Sequence, residues 1–530
     1  MPFSLIQSGS ALQTLSTTGA VTTLTLPTGV TLSTASVPRW AVYGNYAIMV
    51  NTPSTPLSID AVGTVRPLVP KAPKLAPVLS AGTAGTLTGN YRARFTFVIE
   101  DAVGNIIAES DFSPTSNQVS ITASQLQATG IELSSETITK RRLYRTTDNG
   151  AVYFPWVDLD GNTLTQVQDD VSDAGLSLIA ASVLGSPPQM TRIAEFRARL
   201  FGVGDTLLDT LRYTEAGVPY AWPADNTLVL PSSNGDAFGI SALVPRRDAL
   251  GVGRRNLLAQ VTGTGSETQG IVDLDVVILS RELGVESQES AQVFRDTAYF
   301  LWKDGVYTWN SSGITCISDG RKGTGVRAWF ATDSYFNRDM FPFAFAHIDS
   351  NTYTYRLFLA SAGSTIIDRW VEFNIQDQLW FGPHKTDLFT PVSAFRRLSS
   401  ANRFVPVIGG TANVYNDQTT RTDGTATAIA LDVIGKRHAA EDPDQEKYFG
   451  EISILGRPQT LGTLVVETLT GTLDATQMLT QRSSLVNARQ RLGRLGRGKH
   501  AQVRLKNADV GADVEIFGYE IDPVNTVGRR

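Results

Sequence analysis

Three carboxylates stand close enough in sequence to suggest acid–base work. Glu282, Glu286 and Glu289 fall at i, i+4 and i+7 in SRELGVESQES. A glycosidase needs two carboxylates across one bond, one protonated and one charged. Nothing beside these three separates an acid from a base, and the segment reads as a solvated connection between strands. Cys316 is the single cysteine, which excludes a disulfide framework and a multi-cysteine metal site. His347, His384, His438 and His500 show no H-x-x-x-H or H-x-H spacing, so no zinc motif is present. No G-x-S-x-G elbow, Walker loop or dinucleotide fingerprint occurs. Gly202-Val203-Gly204-Asp205 follows a strand but opens no helix and reads as a turn. The sequence thus names no catalytic, metal or cofactor-binding residue and calls for no cofactor. It is read as a protein that is not an enzyme.

Two further patterns invite a binding role. Aromatic pairs recur at Tyr299/Phe300, Tyr307/Trp309, Trp329/Phe330, Trp370/Phe373 and Trp380/Phe381. They could stack on sugars, but aromatics at strand positions more often pack sheet on sheet. From Arg482 to Lys506 the chain holds eight Lys or Arg and no Asp or Glu, in a protein of net charge −5. Arg489, Arg491, Arg494, Arg497 and Lys499 are its candidate contacts. Three readings stand open: a solvated glycine-rich loop, a surface for an acidic partner or neighbouring subunit, and contact with DNA phosphates. The overall negative charge argues against DNA binding by bulk attraction.

The elements that must carry these residues are strands. Thr297–Trp302, Val306–Asn310 and Ile314–Ser318 are short alternating runs separated by Asp-Gly and Ser-Gly turns, which makes an antiparallel meander. Similar starts recur at Trp40, Phe196, Asn256, Thr297, Thr354 and Arg403. From Phe196 the spacings are 60, 41, 57 and 49 residues. The gap from Trp40 to Phe196 is 156, but 44 remain when a separate module of 112 residues, 73–184, is removed. Repeats of about 40–50 residues with four strands each have the size of propeller blades. Six units are expected.

The expected fold class is therefore all-β: a β-propeller interrupted by an inserted immunoglobulin- or fibronectin-like sandwich, followed by a C-terminal β-sandwich. Residues 1–72 would hold the first blade or blades, 73–184 the insert, 185–430 the rest of the propeller, and 431–530 the terminal platform. Strands are expected at 22–26 and 131–133, among others, and a short helix within 478–495. Residues 66–82, with four prolines, read as a stiff extended linker. Asp148-Asn149-Gly150 approximates the hairpin turn of the S-x-D-x-G-x-x-W box and reads as a plain turn needing positive φ. No apolar run reaches the ~20 residues that cross a bilayer, and MPFSLIQSGSALQTL lacks the basic and apolar regions of a signal peptide.

Several stretches resemble tail proteins of tailed bacteriophages. They are SLIQSGSALQTLST with PRWAVYGNYAIMVNTPSTPLSIDAVGTVRPL, then FRARLFGVGDTLLDTLRYTEAGVPYAWPADNTLVLP and VFRDTAYFLWKDGVYTWNSSGITCIS, and at the end KYFGEISILG, GRLGRGKHAQVRLKN and VEIFGYEID. The insert, NYRARFTFVIEDAVGNIIAESDFSP to KRRLYRTTDNGAVYF, is similar to fibronectin-like modules of phage structural proteins. In architecture the chain looks like the tail nozzle or tail hub of short-tailed phages. That resemblance implies a virion tail protein forming a homo-oligomeric ring, usually a hexamer. Such a ring continues the portal and adaptor channel, conducts double-stranded DNA during ejection, and docks fibres or spikes. The alternative is a receptor- or polysaccharide-binding, even glycan-degrading, propeller at the tail tip. It requires an aromatic-lined pocket holding two carboxylates.

Overall fold

The computed structural model describes residues 3–176, 184–204, 206–231, 239–268, 271–319, 325–385, 389–401, 403–411, 413–416, 422–423, 427–428, 431–434, 447–456, 463–471, 476–484, 489–507 and 516–526. They are nearly all strand, arranged in small antiparallel sheets. The chain divides into two compact units, one of residues 1–384 and 391–409, the other of 385–390 and 410–530.

The first unit is a β-propeller with an insertion. Five four-stranded meanders span residues 39–67, 190–229, 242–280, 292–316 and 345–384, called here blades 2 to 6. Blade 7 pairs Pro391–Leu398 with Phe404–Gly410. Blade 1 is a three-stranded sheet over residues 3–23. First strands stand beside one another around the ring from blade 2 to blade 7, and the first strand of blade 7 meets that of blade 1. Leu12 of blade 1 then packs with Met49, Leu57 and Ile59 of blade 2 and closes the circle. Arg397 of blade 7 donates to the Thr17 carbonyl at 2.9 Å across the same closure.

The described residues thus hold seven blades where six repeats were expected. The additional one is FSLIQS–GS–ALQTLS, whose strands lack the aromatic runs that mark the others. Its Leu12 and Leu15 are buried all the same, because closing a sheet ring removes exposed edges at both ends.

Between blades 2 and 3 the chain leaves the ring to build seven strands. Ile106–Glu109, Ala93–Glu100, Lys140–Thr146 and Tyr153–Asp160 form one sheet. Val167–Asp169, Val119–Thr129 and Val78–Tyr91 form the other. Phe95, Phe97, Leu126, Leu143 and Trp156 fill the space between them. Asn149 has φ 53°, as the Asp148-Asn149-Gly150 turn requires. Residues 131–133, expected as a strand, have no strand pairing. Tyr220 of the propeller packs against both the insert core and the core shared by blades 2 and 3.

The proline-rich stretch is not a free linker. Val65–Pro67 is the last strand of blade 2, and Leu68 and Val69 are buried with Ile193 and Trp222 of blade 3. The backbone N–H groups of Lys71, Lys74 and Leu75 donate to the carboxylates of Glu136 and Glu132. Proline removes backbone donors but leaves apolar surface able to pack.

The second unit contains two sheets around Phe449, Ile452, Ile454, Leu464, Val466, Val503 and Leu505. Within the range expected to hold a short helix, Thr476–Ser484 and Arg489–Gly498 are strands. Residues 485–488 lie outside the described residues.

Candidate functional site

In each blade the turn between the first and second strand lies at one end of the sheet. Two of these turns are two-residue hairpins built without glycine. Arg197-Ala198 has φ values of 53° and 54°, and Arg295-Asp296 has 48° and 62°. Two-residue hairpins need this left-handed pair to match the twist of the strands, and Asn-Gly is the usual solution. The arginines are exposed and laid on rings. Arg197 lies 5.2 Å from the centroid of Phe196. Arg295 lies 5.2 Å from Phe294 and 4.9 Å from Tyr353 of the next blade, whose hydroxyl it reaches at 3.3 Å.

The same turns tie neighbours together. Tyr43 of blade 2 donates to the Ala198 carbonyl at 2.9 Å. Arg197 donates to the Gly263 carbonyl of blade 4 at 3.2 Å. Arg246 of blade 4 is paired with Asp296 of blade 5 at 2.9 Å. Asn351 of blade 6 donates to the Phe404 carbonyl of blade 7 at 2.9 Å.

Between blades 4 and 5 this face opens into a cleft of about 420 Å3. Arg246, Asp248, Gln260, Thr262, Trp309, Asn310 and Ser311 are among its lining residues. Arg246 is buried and sits 4.4 Å from the ring centroid of Trp309. Hydrogen bonding to Arg246 holds the Asp296 carboxyl below its ordinary range, so the pair stays ionised. The cleft therefore offers an apolar wall, a fixed cation and a rim of amide, hydroxyl and carboxylate groups. These are the groups that hydrogen-bond a polyhydroxylated ligand.

Charge also crosses the middle of the ring. Arg39 on the first strand of blade 2 meets Glu289 ahead of blade 5 at 2.8 Å. Arg192 of blade 3 lies near both. Burial, and then Arg39, bring its guanidinium down to about 10, against the opposing pull of Glu289.

The segment holding Glu282, Glu286 and Glu289 is not the solvated connection expected. Val285, Ser287 and Ser290 within it are buried. Glu286 faces Arg255 at 3.4 Å, and burial raises its carboxyl above the usual value. Only Glu282 stays exposed. None of the three is among the described residues that line the cleft, of which Asp248 is the one carboxylate.

Of the aromatic pairs, those of blade 5 pack as blade contacts, whereas Trp329 and Phe330 lie on a short helix, Arg327–Ala331, and Phe381 is exposed. Tyr299 stacks on Tyr355 of blade 6 at 5.7 Å, and Tyr307 and Trp309 are buried against Val244 and Leu258 of blade 4. Cys316 is half-buried on the last strand of blade 5, its sulfur 3.8 Å from the Ser318 hydroxyl. Of the histidines, His347 is buried at 6.0 Å from Phe358. No group of residues able to hold a metal occurs among the described residues.

The basic candidates fall on the second unit and form a strand, not a loop. Arg489, Arg491, Arg494 and Arg497 belong to Arg489–Gly498, the outer strand of a three-stranded sheet. Their backbones pair with Leu455, Ser453, Glu451 and Tyr448. Lys499 sits in the bend before His500–Asn507, a strand of the other sheet. The side chains of the four arginines lie outside the described residues. Among the cleft residues Gln260 carried no sequence signal, and for Arg246 and Asp248 the Arg-Arg-Asp run at 246–248 was the one that could have drawn notice.

No family model and no curated protein sequence matches the chain. Solved structures do. An exo-β-1,3-galactanase from Phanerochaete chrysosporium is similar at 8% identity, covering 63% of this chain and 95% of that one, with a TM-score of 0.22. Hsv2 from Kluyvelomyces marxianus is similar at 8% identity, covering 70% and 95%, with a TM-score of 0.27. YCF48 bound to D1 peptide is similar at 12% identity, covering 57% and 92%, with a TM-score of 0.16. At these scores the likenesses carry no argument about what this chain binds or does. With a galactanase named among them, the expectation that this chain is not an enzyme is withdrawn, and no activity is assigned in its place. No helix among the described residues is long and apolar enough to cross a membrane.

Proposed function

We propose that the protein is a glycan-binding propeller, a receptor- or polysaccharide-recognising component placed at a phage tail tip. The observation that carries the binding reading is the cleft between blades 4 and 5, with Trp309 as its wall and Arg246, Asp248, Gln260, Thr262 and Asn310 around it. The tail context rests on the sequence resemblance alone. The test is retention of the purified chain on immobilised bacterial surface polysaccharides. Binding should occur and should weaken in an Asp248→Ala, Gln260→Ala variant that melts like the parent. Absence of retention on every polysaccharide tried would remove this reading.

A second reading, a ring-forming nozzle or hub of the tail, is favoured by the second unit. Tyr448 and Leu455 are exposed on the central strand that pairs with Arg489–Gly498, and Met478 and Leu479 are exposed on the outer strand Thr476–Ser484 of the other sheet. Exposed apolar side chains on sheet faces and outer strands suit a neighbouring subunit. Such a ring, a hexamer by resemblance, would join an adaptor and pass DNA. Mass photometry tests it: a strict monomer at every concentration, with adaptor rings present, would count against it. Arg491→Glu, Arg494→Glu and Arg497→Glu together should then block assembly.

A further inference from the structure

The first-turn face carries exposed cations that make no close ion pair among the described residues, although Arg247 lies near enough to Asp296 to act on its charge. Arg197, Arg247 and Arg295 are exposed on blades 3, 4 and 5 in succession. Among the described residues none of the three forms an ion pair, whereas buried Arg246 beside them is held by Asp296. The arrangement recurs. Phe-Arg occupies 196–197, 294–295 and 395–396, at or just before the first turn of blades 3, 5 and 7. In the third case Arg396 is exposed and lies 5.7 Å from the ring centroid of Phe404. A guanidinium laid on a ring loses little rotamer freedom when it meets a carboxylate; Arg197 spends its Nε on the Gly263 carbonyl and Arg295 one terminal nitrogen on the Tyr353 hydroxyl, and each keeps further donors. In a chain of net charge −5 this is a local excess in which Arg197 and Arg295 are set on aromatic supports.

We propose that Arg197, Arg247 and Arg295 form a recognition surface for an acidic polysaccharide, one that crosses the first turns of blades 3 to 5 and places a sugar in the cleft between blades 4 and 5. This rests on the glycan-binding reading and adds the charge class of the ligand. Duplex DNA fits less well. It carries one negative charge per ~1.7 Å of axis, whereas this surface offers one exposed guanidinium per blade, interrupted by the exposed carboxylate of Asp248. A polymer with one carboxylate per sugar and hydroxyls between suits arginines separated by amide and hydroxyl groups.

Calorimetry on the full chain decides the matter, with polygalacturonate oligomers as the acidic probe and dextran oligomers as the neutral one. The acidic probe should bind more tightly, and about 0.5 M salt should weaken it strongly. Arg197→Gln, Arg247→Gln and Arg295→Gln together should cost roughly tenfold or more in its affinity. Arg247→Gln alone guards against misfolding, because the Arg247 side chain makes no hydrogen bond among the described residues. It should retain the parental melting temperature and still lose part of the affinity. Equal binding of the two probes, or an unaffected triple variant, would overturn the inference and leave the glycan reading standing. Binding of neither probe would remove both. A DNA duplex that outcompetes polygalacturonate and loses binding in the triple variant would reassign the surface to nucleic acid and overturn the proposal.

Discussion

Arg39 and Glu289 stand 250 positions apart in the chain and 2.8 Å apart in space. The pair spans the ring from blade 2 to the segment ahead of blade 5, with Arg192 beside it. Replacing Glu289 with Gln would leave two guanidiniums facing each other where water has limited access. The expected loss is about 1–3 kcal/mol of stability, read from the denaturant midpoint. A midpoint equal to that of the parent would show that the pair does not hold the blades together.

Asp296 connects the turn face to the cleft through Arg246. Its carboxyl titrates below the ordinary range, so the pair's contribution is present above the unfolded carboxylate value and is lost only as pH falls through the lower folded value. Binding of a neutral glycan in the cleft should persist through ordinary carboxylate titration and fail below it. Asp296→Asn should abolish that acid-side step, since Arg246 then loses its charged partner at every pH.

His347 supplies a different pH response. Burial first, then Arg356 and Arg396, push it from 6.5 to about 3 in the folded protein. The unfolded chain binds the proton more readily, so stability is full above about 6.5 and declines as pH falls toward 3. The decline should amount to several kcal/mol, and His347→Gln should flatten it in melting curves taken across that window.

Gly251 approaches the cleft wall from behind. A Cβ there would lie 2.6 Å from Cζ3 of Trp309 and 3.3 Å from the Val244 Cβ. Trp309 can shift only by disturbing the core of blades 4 and 5 in which it is packed. Gly251→Ala should cost about 1–3 kcal/mol and should displace Trp309, which its fluorescence spectrum and the cleft affinity would both report.

In the insert, Thr96 donates to Glu109 at 2.6 Å, and the Tyr144 hydroxyl donates to the same carboxylate. All three residues are buried. Tyr144→Phe would remove one of two donors from a buried acid and should cost about 1–3 kcal/mol. Urea unfolding would show it. The tight packing of Tyr220 on this module should carry the effect to the propeller transition.

Local physics made much of the fold legible. Alternating runs such as Thr297–Trp302 and turns such as Lys303-Asp304-Gly305 declare strands and reversals within a few residues, because pleat and turn geometry depend on neighbours in sequence. The same logic identified the aromatic residues of blade 5 as packing groups. Blade 1 escaped because its strands are polar outside the ring and apolar only where blades 2 and 7 cover them. The basic strand 489–498 was not recognised as a strand, a loop being one of three readings left open, because its glycines speak locally for flexibility while its partner strand lies more than thirty residues upstream.

The candidate site lay beyond such reading. Arg246, Gln260 and Trp309 are ordinary residues on separate strands, and only the stacking of blade 4 on blade 5 makes them a cleft. Arg197, Arg247 and Arg295 become one surface only because ring closure sets successive first turns at the same end. The sequence by itself determined that the chain builds antiparallel meanders and where each one turns. The tertiary structure alone decided which turns share a face and which charges meet, because those relationships come from contacts between blades that no local pattern encodes.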